Sequence, residues 1–274
     1  MHTHGPRPIE DLIERAGARL LQRTHNGSAP VEVYENDRYR WLQNHNGTLQ
    51  SLMDRRSPER LVLPYTQAMM TGLLFVDAPK SVLMLGLGGA SQLRFLRHYF
   101  ADTPVTAWES DTQVIAVARR YFGLSDEDEG VHIFNQDART GVAAGDQPAD
   151  LILLDLFGAD GSPPWVRQAA FHENCRRRLA DHGVLVANLW VDADDEFLAI
   201  MDGVQAAFEQ RTLVLPVPGY RNHIVFAFKG PARLDFATLQ ARATGLARHT
   251  GVDCGGFIGG MRESNLSDDT GFVV

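Results

Sequence analysis

Residues 81–100 read SVLMLGLGGASQLRFLRHYF, and this stretch decides the fold. A short apolar run, Ser81–Leu85, stops at Gly86-Leu87-Gly88-Gly89-Ala90-Ser91, and a helical pattern over Ala90–Phe100 begins at once. An apolar run this short, closed by glycines, suits a strand buried on both faces. The glycines let the backbone turn sharply and approach a ligand, and the helix terminus that follows offers free N–H groups. Alone, such a pattern also occurs in tight turns that hold nothing. Its strand–turn–helix setting singles it out.

Outward from that turn, strand-like runs recur at Val105–Trp108, Val131–Phe134, Leu151–Leu154, Val184–Asn188, Thr212–Val217 and His223–Phe228. Helical patterns fall at Asp111–Phe122, Val166–Ala180 and Asp195–Glu209. This alternation predicts an α/β domain with a doubly wound, mostly parallel seven-stranded sheet. The last two runs are separated by a few residues around Pro218-Gly219-Tyr220, too few for a crossover helix, so they are expected to be antiparallel. A parallel sheet with a reversed final strand is the layout of nucleoside-dependent methyltransferases rather than of dinucleotide dehydrogenases. Residues 79–230 are therefore expected to form a Rossmann-like, nucleoside-binding domain.

Residues 1–78 read as an amphipathic helix, Ile9–Gln22, and a small β-hairpin lid. Val31–Tyr34 and Tyr39–Gln43 flank Glu35-Asn36-Asp37-Arg38, and Asn46-Gly47 marks a further turn. A connecting helix, Tyr65–Phe75, follows Pro64. Residues 231–274 carry a helix over Leu234–His249 and a Gly-rich tail.

The net charge of −8 and the lack of a Lys/Arg block beyond Arg176–Arg178 argue against a nucleic-acid surface, whose affinity comes from neutralised phosphates. An acidic chain is compatible with cationic substrates. The apolar runs are too short to span a bilayer, and the N-terminus lacks the apolar core of a secretory signal. Cys175 and Cys254 form no CxxC pair, so neither a disulfide framework nor a structural zinc site is expected, and the cytoplasm is the expected location.

Three acids end successive strands. Glu109 closes the second run, where a carboxylate can accept both hydroxyl hydrogens of a ribose. Its alternative role, capping the next helix, suits Ser110 or Asp111 better. Asp137, followed by Ala138, comes after the third run, where a nucleoside-dependent transferase can receive the adenine amino group; a plain loop aspartate is the alternative. Asp155 ends the fourth run and faces the ligand crevice. The histidines at 98, 132, 172, 182 and 223 show no ligand-like spacing. The acidic run Asp192, Asp194, Asp195 and Glu196 reads as a solvated helix start, and no metal site is expected.

These features together resemble the spermidine synthase (polyamine aminopropyltransferase) family over roughly residues 31–230. Asn46–Gln50, Pro64–Met69, Val82–Arg94, Trp108–Asp111, Asp137, Ala149–Asp155 and Pro218-Gly219-Tyr220 carry the likeness. The glycine turn and acids are shared with methyltransferases generally; the lid, Tyr65 and Tyr220 point to this family. The resemblance implies a donor of the S-adenosylmethionine type, decarboxylated or not, held by Gly86, Gly88, Gly89, Glu109, Asp137, Ala138 and Asp155. It places Gln50, Tyr65 and Tyr220 around a small-molecule amine acceptor, and implies a homodimer. Asp155 or Asp160 would serve as electrostatic partner and base, with Tyr65 beside them. Two departures stand out. Gly89 replaces an aspartate that grips the donor's aminopropyl amine, and Gly158 replaces the catalytic aspartate. Both favour undecarboxylated S-adenosylmethionine, whose carboxylate an acid at 89 would repel. A methyltransferase acting on a small molecule and a non-catalytic nucleoside-binding paralogue are the alternatives.

Overall fold

The computed structural model describes residues 9, 13, 17–24, 30–76, 78–125, 129–157, 161–190 and 194–274. The expected strands form one seven-stranded sheet: β5 (Val82–Leu85), β6 (Val105–Glu109), β7 (Val131–Asn135), β8 (Ala149–Leu154), β9 (Leu179–Trp190), β10 (Thr212–Pro216) and β11 (Asn222–Phe228). Their order is β10-β11-β9-β8-β5-β6-β7. Strand β5 pairs in parallel with β6 on one side and β8 on the other. The chain therefore winds outward through β6 and β7, then returns to wind the other way, opening a crevice beyond the carboxyl ends of β5 and β8. The reversed strand β11 inserts antiparallel between β9 and β10.

Alternation along β5 explains its unbroken apolar character. Val82 and Met84 enter one core layer, with helices Ser91–Tyr99, Phe236–Thr250 and Cys254–Ser264. Leu83 and Leu85 enter the other, with helices Ala138–Ala144, Ala169–Arg178 and Asp194–Ala207. A strand covered on both faces has no polar side to show.

The N-terminal strands β1 (Arg19–Arg23), β2 (Val31–Glu35), β3 (Tyr39–Asn44) and β4 (Leu49–Asp54) form a separate antiparallel sheet. Val31, Val33, Leu42 and Met53 pack on Val114, Val117 and Phe122 in and after the helix Thr112–Tyr121. Arg40 fastens the contact by donating to the Tyr121 carbonyl at that helix's C-terminus.

Two local expectations are corrected, and two helices appear that the sequence did not lead one to expect. The end of the expected Ile9–Gln22 helix is strand: Arg19 and Arg23 pair across from Glu35 and Glu32, with ion pairs to both, so sheet pairing overrides an amphipathic pattern. Val166–Ala180 is not one helix. A 3-10 turn, Pro164–Arg167, precedes the helix Ala169–Arg178, with Gln168 extended between them. Ala138–Ala144 is helical, capped by Asp137, whose Oδ1 accepts the Thr140 N–H at 2.9 Å. The Gly-rich tail contains the helix Cys254–Ser264, which buries Cys254, Ile258 and Met261 at helical spacing and is capped by Asp253. Beyond it, the Asn265 carboxamide both donates to and accepts from the Val214 backbone, closing the open edge of β10.

Candidate active site

The glycine turn is shaped by what surrounds it. Gly86 has φ +100°, and a Cβ there would lie 2.2 Å from the Asp155 carbonyl oxygen, so only glycine fits between the ends of β5 and β8. Glu109, at the end of β6, grips the turn: Oε2 accepts the Leu87 N–H at 3.1 Å and Oε1 the Asp111 N–H at 3.0 Å. Asp111 caps the next helix through Gln113, which leaves Glu109 to the crevice. Burial raises the Glu109 pKa, countered by the amides of Asp111, Leu87 and Gly88. Asn135 and Gln136 donate to the Glu109 carbonyl, which brings the end of β7 and Asp137 beside it.

Asp155 stands on the other side of the turn. Its Oδ1 accepts from Asn188 Nδ2 at 2.9 Å, and Asn188 in turn accepts from Asn222 Nδ2 at 2.9 Å. Its Oδ2 receives Gln92 Nε2 at 3.3 Å. The Tyr65 hydroxyl donates to the Gln50 carbonyl at 3.1 Å and lies against the Asp155 carboxylate. Burial pushes the Asp155 carboxyl up to about 6, against the lowering effect of Asn188 and Tyr65. Burial and the neighbouring acid raise Tyr65 well above its ordinary value. Among the described residues no Lys or Arg pairs with Asp155. A carboxylate fixed by neutral donors, without a protein counter-ion, suits a cationic ligand.

The geometry brings together the turn, Glu109, Asp155, Tyr65 and the Gln50 backbone. Asp137 and Ala138 lie at the neighbouring strand end, and Tyr220 follows Gly219 in the β10–β11 turn. Gly158 and Asp160 lie outside the described residues. Four contributors went unread in the sequence: Gln92, Asn188, Asn222 and Ser51. Asn188 carried a weaker signal, a polar residue interrupting the apolar run of β9 two positions before its end at Trp190. Ser51 carried none.

Ser51 explains the space at position 89. Its Oγ accepts the Gly89 N–H at 2.8 Å, and a Cβ on Gly89 would meet Ser51 Cβ at 2.7 Å and the Phe122 ring at 3.2 Å. Behind the turn, buried Arg94 donates to the carbonyls of Pro58, Gly89 and Phe122, and burial lowers its pKa to about 9. Gly89→Asp is therefore expected to lower stability by about 1–3 kcal/mol through overpacking. Ser51→Gly should recover much of that loss in the double variant, as thermal unfolding of all three proteins would show.

Fold and site define a class: an α/β protein with a methyltransferase-like doubly wound sheet that sets Glu109 and Asp155 at the strand ends beside its switch point. No family model matches the sequence. A polyamine aminopropyltransferase of Chromobacterium violaceum is 34% identical over 236 residues, covering 86% of this chain and 90% of the relative. A probable spermidine synthase from Corynebacterium glutamicum superposes with a TM-score of 0.70 at 20% identity, over 90% of this chain and 97% of the other. Human methyltransferase-like protein 13 in complex with SAH gives 0.63 at 24% identity, over 76% and 96%. The chain belongs to the polyamine aminopropyltransferase family.

Proposed function

We propose that this chain transfers an aminopropyl group from decarboxylated S-adenosylmethionine to a polyamine. One observation carries the reading: the Asp155 carboxylate, unpaired with any described cation, stands beside the glycine turn that Glu109 grips. Glu109 takes the ribose hydroxyls, Asp137 and Ala138 receive the adenine, and the turn holds the rest of the donor. Tyr65, Gln50 and Tyr220 position the acceptor, while Asp155, with Asp160 as a second acid, attracts it and takes its proton.

The acceptor nitrogen attacks the propyl carbon bonded to the sulfonium. A C–N bond forms, the C–S bond breaks, and its electron pair neutralises the sulfur of the departing methylthioadenosine. An alkyl amine with a pKa of about 10.4 is free at pH 7 in only about one molecule in a few thousand, a cost of roughly 4–5 kcal/mol. A carboxylate with a pKa of about 6 is ionised at that pH and can offset part of this cost as general base. Steady-state assay with decarboxylated donor and putrescine should yield product. No product, together with tight binding of the undecarboxylated nucleoside, would reject the proposal.

Ser51 packed against Gly89 favours a second reading, a methyltransferase that takes S-adenosylmethionine itself. In that case S-adenosylmethionine would outcompete its decarboxylated form. We further propose a cytoplasmic homodimer. Family membership supports the dimer, and two buried, unlinked cysteines suit a reducing compartment. Among the described residues no helix is long and apolar enough to cross a membrane, and no cluster of His, Cys, Asp or Glu is arranged to hold a metal.

A further inference from the structure

We propose that Gln92 is a positioning residue for Asp155, holding the second carboxylate oxygen so that the acid faces the crevice in one fixed orientation. The inference rests on the role given to Asp155 above. Gln92 lies in the first turn of the helix Ser91–Tyr99, directly after the glycine turn, and is buried. Its Nε2 points at Asp155 Oδ2 at 3.3 Å and at Met69 Sδ at 2.9 Å. Asn188, backed by Asn222, engages Oδ1 from the opposite side. Together they clamp both oxygens with neutral donors.

The other end of the same carboxamide marks this as more than packing. Oε1 is buried and has no hydrogen-bond partner. Turning the amide over would set that oxygen against the carboxylate and leave Asp155 Oδ2 without its donor, so the orientation is fixed by Asp155. A methionine or leucine would fill the space with no unpaired acceptor. The glutamine is thus accounted for by its contact with the acid, and that contact ties the helix following the donor-binding turn to the end of β8. Among the described residues, Tyr65, from the helix Pro64–Met69, is the titratable side chain facing Asp155. Gln92 and Asn188 are neutral, and Glu109 is engaged by the Leu87 and Asp111 amides.

The test is the titration of Asp155 in the free protein, followed by carboxyl carbon-13 NMR and assigned through Asp155→Asn. Removing one hydrogen bond to the charged form in Gln92→Met should raise the apparent pKa of Asp155 by about half a unit to one unit. Turnover should fall about tenfold, with the acid limb of its pH profile moving upward by the same amount and acceptor KM changing about twofold at most. If Gln92→Met does not fold, the isosteric Gln92→Glu replaces it, and should raise the Asp155 titration further by setting a like charge beside it. An unmoved Asp155 titration in a folded variant overturns the proposal, whatever happens to activity. A moved titration in a protein without aminopropyl transfer would leave the positioning role standing and reject the assigned reaction instead.

Discussion

Asp155→Asn is expected to lose about three orders of magnitude in turnover while becoming more stable at neutral pH. In the role proposed for Asp155, the loss follows from removing both a general base, worth about 10²–10⁴-fold, and the charge that would meet a cationic acceptor. The gain follows from linkage. Burial raises the Asp155 carboxyl from 3.8 to about 6, so the folded protein holds this proton more tightly than the unfolded chain does. Its contribution to stability is complete below pH 3.8, falls as the pH climbs to about 6, and is gone above that. A carboxyl held at about 6 rather than 3.8 corresponds to about 3 kcal/mol. Asparagine does not ionise, so the stability of Asp155→Asn relative to the native protein should rise by about that much between pH 4 and pH 7. Against it, the new amide group faces a donor, either Gln92 or Asn188, at a cost of about 1 kcal/mol or more. The net gain near pH 7.5 is then about 1–2 kcal/mol. Denaturant titrations of both proteins at pH 4.5 and 7.5 measure it. A stability difference independent of pH would refute the raised carboxyl. The native enzyme's kcat/KM should decline below pH about 6, as the same group takes up its proton.

That site was partly legible because strand ends follow a simple rule. In a doubly wound sheet the carboxyl ends of the strands face one crevice, so a polar residue closing an apolar run is a site candidate. Glu109 and Asp155 meet the rule and lie on either side of the glycine turn; Asn188 does not, because Leu189 and Trp190 carry β9 past it. The central strands β5 and β8 were legible for a related reason, since burial on both faces leaves short apolar runs, whereas the edge strand β7 is largely exposed and carries His132. What stayed hidden depends on contacts distant in sequence. Nothing in RLLQR at 19–23 announces its pairing with Glu35 and Glu32. The glycines at 255, 256, 259 and 260 argue against a helix until Asp253 and the packing of Ile258 and Met261 are counted. Ser51 reaches Gly89 across thirty-eight positions, and Gln92 reaches Asp155 across sixty-three. An isolated serine or glutamine shows no trace of such a partner.

Glu109→Gln should weaken the binding of methylthioadenosine by about 10²–10⁴-fold. Both carboxylate oxygens already hold backbone amides, of Leu87 and Asp111, and each has a further lone pair for a ribose hydroxyl. Two hydrogen bonds to a charged acceptor contribute about 1.5–3 kcal/mol each, which gives the stated range. The carboxamide fails on geometry as well as charge. Whichever way it turns, its NH2 faces either the Leu87 or the Asp111 N–H, so one donor opposes another and the glycine turn loses an anchor. Asp111→Asn provides the comparison: it retains a helix cap on Gln113 and removes a nearby negative charge, so nucleoside affinity should change by about threefold at most. Because burial raises the Glu109 carboxyl, affinity in the native protein should also fall with decreasing pH, and this dependence should vanish in Glu109→Gln. Calorimetric titration at several pH values measures all three effects. Native-like affinity in Glu109→Gln would mean that this acid does not hold the ribose.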